Sequence, residues 1–331
     1  MKAASITILI LSLILPAGSY CFSEPHADHL SAGLNLRVSA AAPDAADVSG
    51  AEAEVAHEAV RWYPRQQNTN LKGVALVIHG LNCRPEKMEP IIAKLNASGI
   101  DCLNLSLRGH GPNYSPIDNT ENDVARMVAF KSVSYPLWKT EAYTAYGFAK
   151  QRSKRYGVPL FLIGFSMGGL LGVDLMTSNP NVKFDKMVLF APAIAMLQRN
   201  YLIQFFAPFP NLVIPSAGNQ AYLANDGTPM AAYNALFDMH AHFEDHLDPR
   251  KINVPTVVFI AEKDELVSYT GIQQIVQNQD LDQWRIYAVK KDNTASEVDM
   301  HHLIIDAASV GNSMWQTIAD VTRMHLLSRQ P

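Results

Sequence analysis

Features typical of several protein classes are missing from this sequence. No run rich in lysine or arginine stands out, and 27 basic against 31 acidic residues give a formal net charge of -4, so nucleic acid is not an expected partner. Beyond the N-terminal leader no apolar run reaches about 20 residues, the length that a spanning helix needs. The mature chain is therefore not expected to span a membrane. No internal repeat of fixed period occurs either.

Motifs for metals and nucleotides are also missing. The acidic and histidine residues between Asp238 and His246 place His242 one helical turn from His246, but they lack the H-E-x-x-H order of a zinc-binding helix. A solvated helix explains them more simply, and we expect no metal. The three glycines between 168 and 172 have neither the dinucleotide nor the P-loop spacing. No cofactor is expected.

The N-terminus has the pattern of a secretory signal peptide. An apolar stretch runs from Ile6 to Leu15, too short for a spanning helix, and small residues follow at Ala17 and Ser19. We expect cleavage after Ser19, so that residues 1–19 are a leader and the protein is exported, either to the periplasm or out of the cell.

Residues 20–54 carry no candidate catalytic residues. Cys21 raises the alternative of a lipoprotein, but Tyr20 stands where a lipidation signal requires a small residue, which favours soluble export. The stretch is rich in Ala, Ser, Asp and Pro and has few large apolar residues to bury, so we interpret it as a low-complexity tether. A short docked strand around Val38 is the alternative.

The region from residue 55 to the C-terminus has the pattern of an α/β domain. Short apolar runs alternate with longer amphipathic segments, as in parallel strands joined by helices, and runs such as VALVIHG are apolar at consecutive positions, as strands covered on both faces must be. The predicted strands are Val60–Tyr63, Gly73–His79, Cys102–Leu107, Leu160–Gly164, Met187–Ala191, Val257–Ala261 and Arg285–Val289. The predicted helices are Pro90–Ser98, Thr140–Tyr156, Met167–Thr177, Ile272–Gln279 and Ser313–Leu327. A mostly parallel sheet with helices on both faces is expected.

Two cysteines lie within this domain. Cys83 follows a predicted strand end, whereas Cys102 begins a strand, so the two lie at opposite edges of a parallel sheet. A strand of about five residues separates those edges by roughly 17 Å. Because a disulfide tolerates only about 7 Å between Cα atoms, both thiols are expected to be free.

The alternation of strands and helices stops at about residues 192–250. An aromatic, proline-containing stretch from Tyr201 to Pro215 is followed by a polar turn and a helix-like run. We interpret this region as a helical lid inserted after a strand. Its apolar character slightly favours acyl substrates and makes the lid a candidate for peripheral contact with a membrane or lipid surface, although packing on the core is an equal alternative.

The strongest local motif is Gly164-Phe165-Ser166-Met167-Gly168, between an apolar run and a helix-like segment. This is the arrangement of a nucleophile elbow, in which a serine occupies a strained strand-to-helix turn. The glycines Gly164 and Gly168 avoid clashes with neighbouring elements. Ser166 is therefore the candidate nucleophile, and the N-terminus of the following helix favours a developing anion.

A serine nucleophile needs a base and an acid that orients the base. With this order of strands and helices, the acid, Asp or Glu, follows the serine along the chain, and the histidine base comes last. Asp264 follows the apolar strand TVVFIA and is the preferred acid, with Glu262 and Glu265 as alternatives that are more simply solvated or capping residues. The loop before the last helix offers His301 and His302 side by side as candidate bases, of which only one can face Ser166.

The segment Val77-Ile78-His79-Gly80-Leu81-Asn82 ends a predicted strand, where a small residue lets backbone amides converge. The amides of Leu81 and Met167 are the predicted oxyanion hole. An ordinary strand-ending turn is the alternative for this segment.

Together these motifs resemble the monoacylglycerol lipase and serine aminopeptidase branch of the α/β-hydrolases, which also includes bacterial carboxylesterases and lysophospholipase-like enzymes. The resemblance rests on IHGLN, RGHG, GFSMGG and AEKDELVS and covers roughly residue 74 to the C-terminus. It implies the α/β-hydrolase fold, with Ser166 as nucleophile, Asp264 as acid, and Leu81 and Met167 as oxyanion donors. Counting back from the family's final helix start selects His301 as the base, with His302 as its rival.

The function that this resemblance implies is cleavage of a small acyl ester, such as an acylglycerol or a lysophospholipid, through an acyl-enzyme on Ser166. Two alternatives stay open. A serine aminopeptidase would cleave amides and predicts a carboxylate at the mouth of the pocket. A hydrolase-fold binding protein would have an idle site.

Overall fold

An eight-stranded sheet organises the computed structural model, which describes residues Val38–Ser39, 59–216, 218–291 and 296–328. The predicted leader and all of the predicted tether except Val38–Ser39 lie outside these residues. The strands are β1 (Val38–Ser39), β2 (Val60–Tyr63), β3 (Gly73–Ile78), β4 (Ile100–Leu105), β5 (Leu160–Phe165), β6 (Lys186–Phe190), β7 (Val213–Pro215), β8 (Gly227–Pro229), β9 (Thr256–Ile260) and β10 (Trp284–Ala288).

The order of strands in the sheet is β1-β2-β4-β3-β5-β6-β9-β10, and β7 and β8 form a separate hairpin. Neighbouring strands run parallel except at the antiparallel pair of β2 and β4. Every residue of β3, β4, β5, β6 and β9 is buried. Because successive side chains of a strand point to opposite faces, both faces of the sheet are covered. The predicted α/β class is confirmed.

The helices of the described residues are α1 (Glu89–Ala97), α2 (Asn122–Lys131), α3 (Tyr135–Tyr156), α4 (Met167–Ser178), α5 (Met230–His246), α6 (Pro249–Ile252), α7 (Tyr269–Asn278), α8 (Ala307–Val310) and α9 (Asn312–Leu327), with 3-10 helices at Pro85–Met88 and Gln198–Phe206. On the sheet, α1 packs against α9, and α3 packs against α4. The seven predicted strands of the main sheet and the five predicted helices all occur, with most ends shifted by one to three residues.

Two of the longer helices, α2 and α3, differ from the prediction. The helix α3 begins at Tyr135 rather than Thr140, because the Ser134 hydroxyl caps it by accepting from the Leu137 amide and a proline occupies its first turn. The helix α2 was not predicted. It buries only Ala125, Ala129 and Phe130, so it lacks the broad apolar stripe from which a helix is recognised in a sequence.

The region between β6 and β9 holds the 3-10 helix Gln198–Phe206, the β7–β8 hairpin and α5. We call residues 192–250 the insertion. Its helix α5 packs against α4 and buries apolar side chains such as Met239 and Phe243. The insertion is thereby anchored directly to the helix that follows the predicted nucleophile.

Both cysteines of the domain are free and buried, as predicted. Cys102 lies within β4 and is paired with Ala75, whereas Cys83 lies beyond the end of β3. Burial raises the pKa of the Cys83 thiol to about 12, so this thiol stays protonated and unreactive at neutral pH.

The carboxyl ends of the parallel strands meet at one edge of the sheet, and two buried histidines join the loops there. The His79 ring donates from Nδ1 to the Gly80 carbonyl (2.8 Å) and accepts at Nε2 from the Leu107 amide (3.1 Å). It thereby ties the loop after β3 to the loop after β4.

The second histidine, His110, completes this connection. Its Nε2 accepts from the Asn82 amide at 2.9 Å, and its Nδ1 faces the carbonyls of Leu107 and Arg108 at 3.3 Å. The rings of His79 and His110 are 4.6 Å apart and fully buried. Since each ring accepts one hydrogen bond and donates the other, both must be neutral. Burial lowers the pKa of His79 to about 4 and that of His110 well below its ordinary value, where the nearby His79 adds to the effect.

We expect acid to destabilise the fold through these histidines. The unfolded chain binds a proton on each near pH 6.5 and the folded chain does not, so the free energy of unfolding should fall as the pH drops from about 6.5 to 4. His79 alone should contribute roughly 3 kcal/mol, because one pKa unit corresponds to about 1.4 kcal/mol. His325, whose pKa burial also lowers to about 4, acts in the same direction.

Guanidinium unfolding curves between pH 7 and pH 4 measure this loss. A His110→Gln variant serves as the comparison, since it should be less stable at pH 7 and should lose less stability on acidification. A free energy of unfolding that stays constant from pH 6.5 to 4 would contradict the assignment of neutral buried imidazoles.

Candidate active site

Ser166 occupies the sharp turn between β5 and α4. Its backbone has φ +51° and ψ -117°, a conformation that residues other than glycine rarely adopt. The turn is held by hydrogen bonds from the Ser166 amide to the Phe190 carbonyl (2.8 Å) and from the Ala193 amide to the Ser166 carbonyl (3.0 Å). This geometry lifts the Ser166 side chain out of the sheet, where it is partly exposed.

The two elbow glycines are required by close backbone approach. A Cβ at Gly164 would lie 2.6 Å from the Cα of Gly169, and a Cβ at Gly168 would lie 2.3 Å from the carbonyl oxygen of Ile78. Both distances are far below van der Waals contact with backbone atoms that cannot move away. The strand, the turn and the helix can therefore pack only with glycine at both positions.

His302 is the histidine that meets Ser166. Its Nε2 lies 2.8 Å from the Ser166 Oγ, and its ring is buried against Phe165. The predicted choice of His301 is wrong. The His301 ring turns the other way and places its Nδ1 2.9 Å from the Glu265 carboxylate. The two histidines lie in one tight turn, which sends their side chains in different directions.

Asp264 lies in the loop that follows β9 and holds the His302 ring. Its carboxylate oxygens are 2.9 and 3.0 Å from the His302 Nδ1, so Nδ1–H donates to Asp264 and Nε2 is left to accept from the Ser166 hydroxyl. The amides of Leu266 and Val267 also donate to Asp264, each at 2.8 Å. Burial would raise the pKa of Asp264, but the hydrogen bonds from His302 and from these amides outweigh it and hold the pKa below its ordinary value.

Glu265 has a positioning role that the sequence did not reveal. Its carboxylate accepts from the backbone amides of His301 (2.9 Å) and His302 (3.0 Å) and also binds the His301 ring. Burial would raise the pKa of Glu265, but these hydrogen bonds keep it below the ordinary value. Two adjacent carboxylates therefore position His302, because Asp264 orients its ring and Glu265 holds the backbone of its turn.

The predicted oxyanion donors lie near Ser166, since Met167 follows it directly and Leu81 lines the same cavity. In the part of the chain that the structure describes, neither the Leu81 amide nor the Met167 amide donates to a protein acceptor. A Cβ on Gly80 would lie 3.2 Å from the Ser166 Cβ, which shows how closely the loop after β3 approaches the serine. Two unpaired backbone donors beside a serine can bind an anionic oxygen.

A cavity of about 740 Å³ opens over Ser166 and His302. Its walls come from the loops at the sheet edge and from the insertion, and α5 contributes Tyr233, Leu236 and Phe237. Most of the lining is apolar, and the charged side chains among it are Arg199, Glu265 and Asp299. A cavity of this size accommodates a small organic substrate.

The histidines of α5 serve structural contacts. The Nδ1 of His242 lies 2.7 Å from the buried carboxylate of Asp174, while His240 faces the Ile194 carbonyl at 3.2 Å. Among the described residues, no three metal-ligating side chains come close enough together to hold an ion. Within the same ranges, no helix combines the length and apolarity needed to cross a bilayer.

Several solved structures have the same fold at low sequence identity. A soluble variant of monoglyceride lipase from Saccharomyces cerevisiae, determined with a substrate analogue, is 13% identical, with a TM-score of 0.63 over 81% of this chain and 90% of that chain. One of the metagenome-derived lipolytic enzymes LipS and LipT is 18% identical, with a TM-score of 0.58 over 77% of this chain and 95% of that one. The monoacylglycerol lipase of Paleococcus ferrophilus is 16% identical, with a TM-score of 0.55 over 80% and 98% of the two chains.

No curated protein matches the chain significantly in sequence. The family described as serine aminopeptidase, S33, matches residues 69–235, which is just over half of the chain. That match includes the loop after β3, the Ser166 turn and much of the insertion. The chain therefore belongs to the serine aminopeptidase, S33, family and has the α/β-hydrolase fold.

Proposed function

We propose that the protein is a serine esterase that hydrolyses small carboxylic esters through an acyl-enzyme on Ser166. One observation carries the proposal. The Ser166 Oγ lies 2.8 Å from the Nε2 of His302, whose Nδ1 is held by Asp264, at the floor of a mostly apolar cavity of about 740 Å³. A hydroxyl, an oriented imidazole and a carboxylate in this sequence of contacts are the components of nucleophilic acyl transfer.

The first half of the reaction forms the acyl-enzyme. The Ser166 Oγ attacks the carbonyl carbon of the ester while its proton passes to the Nε2 of His302. The carbonyl oxygen becomes anionic and is bound by the amides of Leu81 and Met167. As the tetrahedral intermediate collapses, the C–O bond to the alcohol breaks, and His302 gives the proton to the departing alkoxide oxygen.

The second half consumes one water molecule. His302 takes a proton from the water as its oxygen attacks the acyl carbon, and the Leu81 and Met167 amides again bind the oxyanion. Collapse of this intermediate breaks the bond to the Ser166 Oγ, which regains its proton from His302. The products are a carboxylic acid and an alcohol. Asp264 stays ionised throughout and stabilises the imidazolium form of His302.

The apolar side chains of the cavity support an acyl substrate. Met196, Ile203, Leu236, Phe237 and Leu266 line the space beside Ser166. Burying the hydrocarbon part of an acyl chain against such a wall stabilises the bound ester by about 0.8 kcal/mol for each buried methylene group. Acylglycerols and lysophospholipids are esters of this kind.

Kinetics on p-nitrophenyl esters, from acetate to laurate, test the proposal and the choice of base together. The variants Ser166→Ala and His302→Ala should each lose about 10,000-fold to a million-fold in kcat, the typical cost of removing a member of such a triad. The control His301→Ala should lose less than about ten-fold, because its ring contacts Glu265 and not the serine. A large loss in His301→Ala with an active His302→Ala would refute the assignment.

Active-site labelling distinguishes the proposed esterase from a hydrolase-fold protein that only binds its ligand. A fluorophosphonate probe should label the wild type and leave Ser166→Ala unlabelled. Equal, poor labelling of both proteins together with no turnover of any ester would overturn the esterase proposal and favour a binding role.

Amide hydrolysis at a free N-terminus is the second candidate, because one carboxylate at the cavity is available for an amine. Asp299 lines the cavity, is exposed, and makes no hydrogen bond or ion pair with the described residues. Glu265 is occupied by the backbone amides of the histidine turn. An ammonium group of a substrate would therefore meet Asp299.

Aminoacyl p-nitroanilides with free and acetylated N-termini separate the two activities. For an esterase we expect no turnover of either amide, and an Asp299→Asn variant should hydrolyse neutral esters at the wild-type rate. Turnover of the free amide that drops at least about ten-fold on acetylation, and by a similar factor in Asp299→Asn, would instead establish the aminopeptidase. A hydrogen bond to a charged group is typically worth about 1.5 to 3 kcal/mol.

The insertion also presents an apolar surface beside the cavity, which we propose contacts lipid aggregates. Phe205 is 85% exposed and Phe209 is 63% exposed, with Leu202 and Phe206 exposed beside them. No charged residue occurs from Asn200 to Pro215, and Ile203 of the same segment lines the cavity. This surface is therefore continuous with the entrance that an ester would use.

The double variant Phe205→Ser/Phe209→Ser should bind phosphatidylcholine vesicles at least about ten-fold more weakly, because burying one phenylalanine side chain is worth about 1.5 to 3 kcal/mol. Its turnover of a soluble short-chain ester should stay within about two-fold of wild type, since neither side chain lines the cavity. Tyr143→Ser, at an exposed aromatic on α3, is the matched control and should bind vesicles normally. Unchanged vesicle binding in the double variant would contradict the proposal that this surface contacts lipid aggregates.

A further inference from the structure

The loop that carries the Leu81 amide is connected to the insertion by a buried pair of asparagines. Asn82 follows Leu81 directly, has φ +49° and is almost fully buried. Its side-chain Oδ1 accepts from the Asn225 amide at 2.9 Å, and its Nδ2 donates to the Asn225 carbonyl at 2.9 Å. Nδ2 also donates to the Ser216 hydroxyl at 3.0 Å. The Asn82 side chain thus pairs with the backbone of the insertion much as a neighbouring strand would.

The backbone of Asn82 is engaged as well. Its amide donates to the Nε2 of His110 (2.9 Å), and its carbonyl accepts from the Ala224 amide (2.9 Å). Every polar group of this residue is therefore satisfied inside the protein. The left-handed backbone at Asn82 and these contacts fix the peptide that joins Leu81 to Asn82. They therefore restrict the position of Leu81, whose amide is the proposed oxyanion donor.

Asn225 extends the connection to two further elements. Its Nδ2 donates to the Gly109 carbonyl at 3.0 Å and approaches the Asn82 Oδ1 at 3.3 Å, while its Oδ1 accepts from the Nε of Arg126 at 3.1 Å. Asn225 is buried but does not line the cavity. Its side chain has no access to a substrate in that cavity.

The insertion residues next to Asn225 lie against the same loop. The Arg84 amide donates to the Tyr222 carbonyl at 2.8 Å, and the Arg84 Nε donates to the Leu223 carbonyl at 2.7 Å. On its other side, the Tyr222 hydroxyl donates to the Asp306 carboxylate at 2.7 Å. Asp306 follows the turn of His302 and caps α8. Residues 222–225 therefore connect the oxyanion loop to the segment that carries the base.

We propose that the Asn82–Asn225 pair is a positioning device for the oxyanion hole, so that the insertion holds the Leu81 amide in place for the reaction as well as covering the cavity. This inference rests on the esterase proposed above. Without the pair, the loop after β3 would keep its connections to β3, to His110 and, through backbone groups and Arg84, to residues 222–224. It would lose the hydrogen bonds that the Asn82 side chain makes with the insertion. The Leu81 amide would then bind the oxyanion less well, while the ground-state ester would still fit the cavity.

Two variants weaken the pair from opposite sides. Asn82→Gly keeps a residue that tolerates the left-handed backbone and deletes the side-chain contacts with Asn225 and Ser216. Asn225→Ala keeps the two backbone hydrogen bonds with the Asn82 side chain but deletes the side-chain contacts with Gly109 and Arg126 that hold Asn225 in place. The matched control is Asn234→Ala, which removes a hydrogen bond from an asparagine of the same insertion to the Ala207 carbonyl, away from the oxyanion loop.

We expect each of the two variants to lower kcat by about ten- to a hundred-fold, less than the roughly 100- to 1,000-fold that follows complete loss of an oxyanion donor. The KM should change by less than about three-fold, since only the transition state depends on the donor. The inhibition constant of a trifluoromethyl ketone, which forms a tetrahedral adduct on Ser166, should rise by the same factor as kcat falls. Asn234→Ala should match the wild type in all three quantities.

The double variant Asn82→Gly/Asn225→Ala should lose no more kcat than the more impaired of the two single variants, because both substitutions disrupt one device. All rates are normalised to active sites titrated with a fluorophosphonate, so that unfolded protein does not lower the measured kcat. A wild-type kcat in Asn82→Gly or Asn225→Ala, or a rise in KM alone, would overturn the inference while leaving the esterase proposal intact. Failure of the wild type itself to hydrolyse esters would instead overturn the esterase proposal.

Discussion

The hydrogen bond between the Ser166 Oγ and the His302 Nε2 is the contact on which the arrangement of the site depends. It joins two residues that are 136 positions apart, one on the turn after β5 and the other in the loop after β10. The serine reaches it only because its backbone is held at φ +51° between a strand and a helix that approach through two glycines. Such a strained conformation persists only when its surroundings determine it.

The imidazole is held from both of its sides. Asp264 binds the ring, and the adjacent Glu265 binds the backbone amides of the turn, so one short loop after β9 fixes both the orientation and the location of His302. Lys291 adds to this support by donating to the carbonyls of Val298 and Met300. The position of the His302 ring therefore depends on three charged side chains, Asp264, Glu265 and Lys291, each of which is hydrogen-bonded to the turn.

The main elements of this site follow from the sequence because their signals are local. A run of buried apolar residues, a Gly-x-Ser-x-Gly turn and an apolar helix predict Ser166 on a strand-to-helix turn, and a carboxylate after the next-to-last strand of the sheet predicts Asp264. The parallel sheet likewise follows from apolar strands that alternate with amphipathic helices.

The remaining features depend on contacts between distant segments, which no local pattern encodes. The choice between His301 and His302 depends on a turn that Glu265 stabilises. The short helix α8 and Gly311 lie between that turn and the last helix. Counting residues back from the start of the last helix therefore selected the histidine one position too early. The role of Glu265 was hidden for the same reason. The pairing of Asn82 with Asn225 spans 143 positions and lies in an insertion without regular periodicity. The helix α2 buries too few apolar residues to be recognised.

A crystal structure of the protein after reaction with a fluorophosphonate tests the central claim most directly. The account predicts a phosphonyl group bonded to the Ser166 Oγ, one phosphonyl oxygen within hydrogen-bond distance of the Leu81 and Met167 amides, and the His302 Nε2 facing the adduct while His301 stays on Glu265. An adduct on another residue would contradict the account, and so would a phosphonyl oxygen that both amides fail to reach.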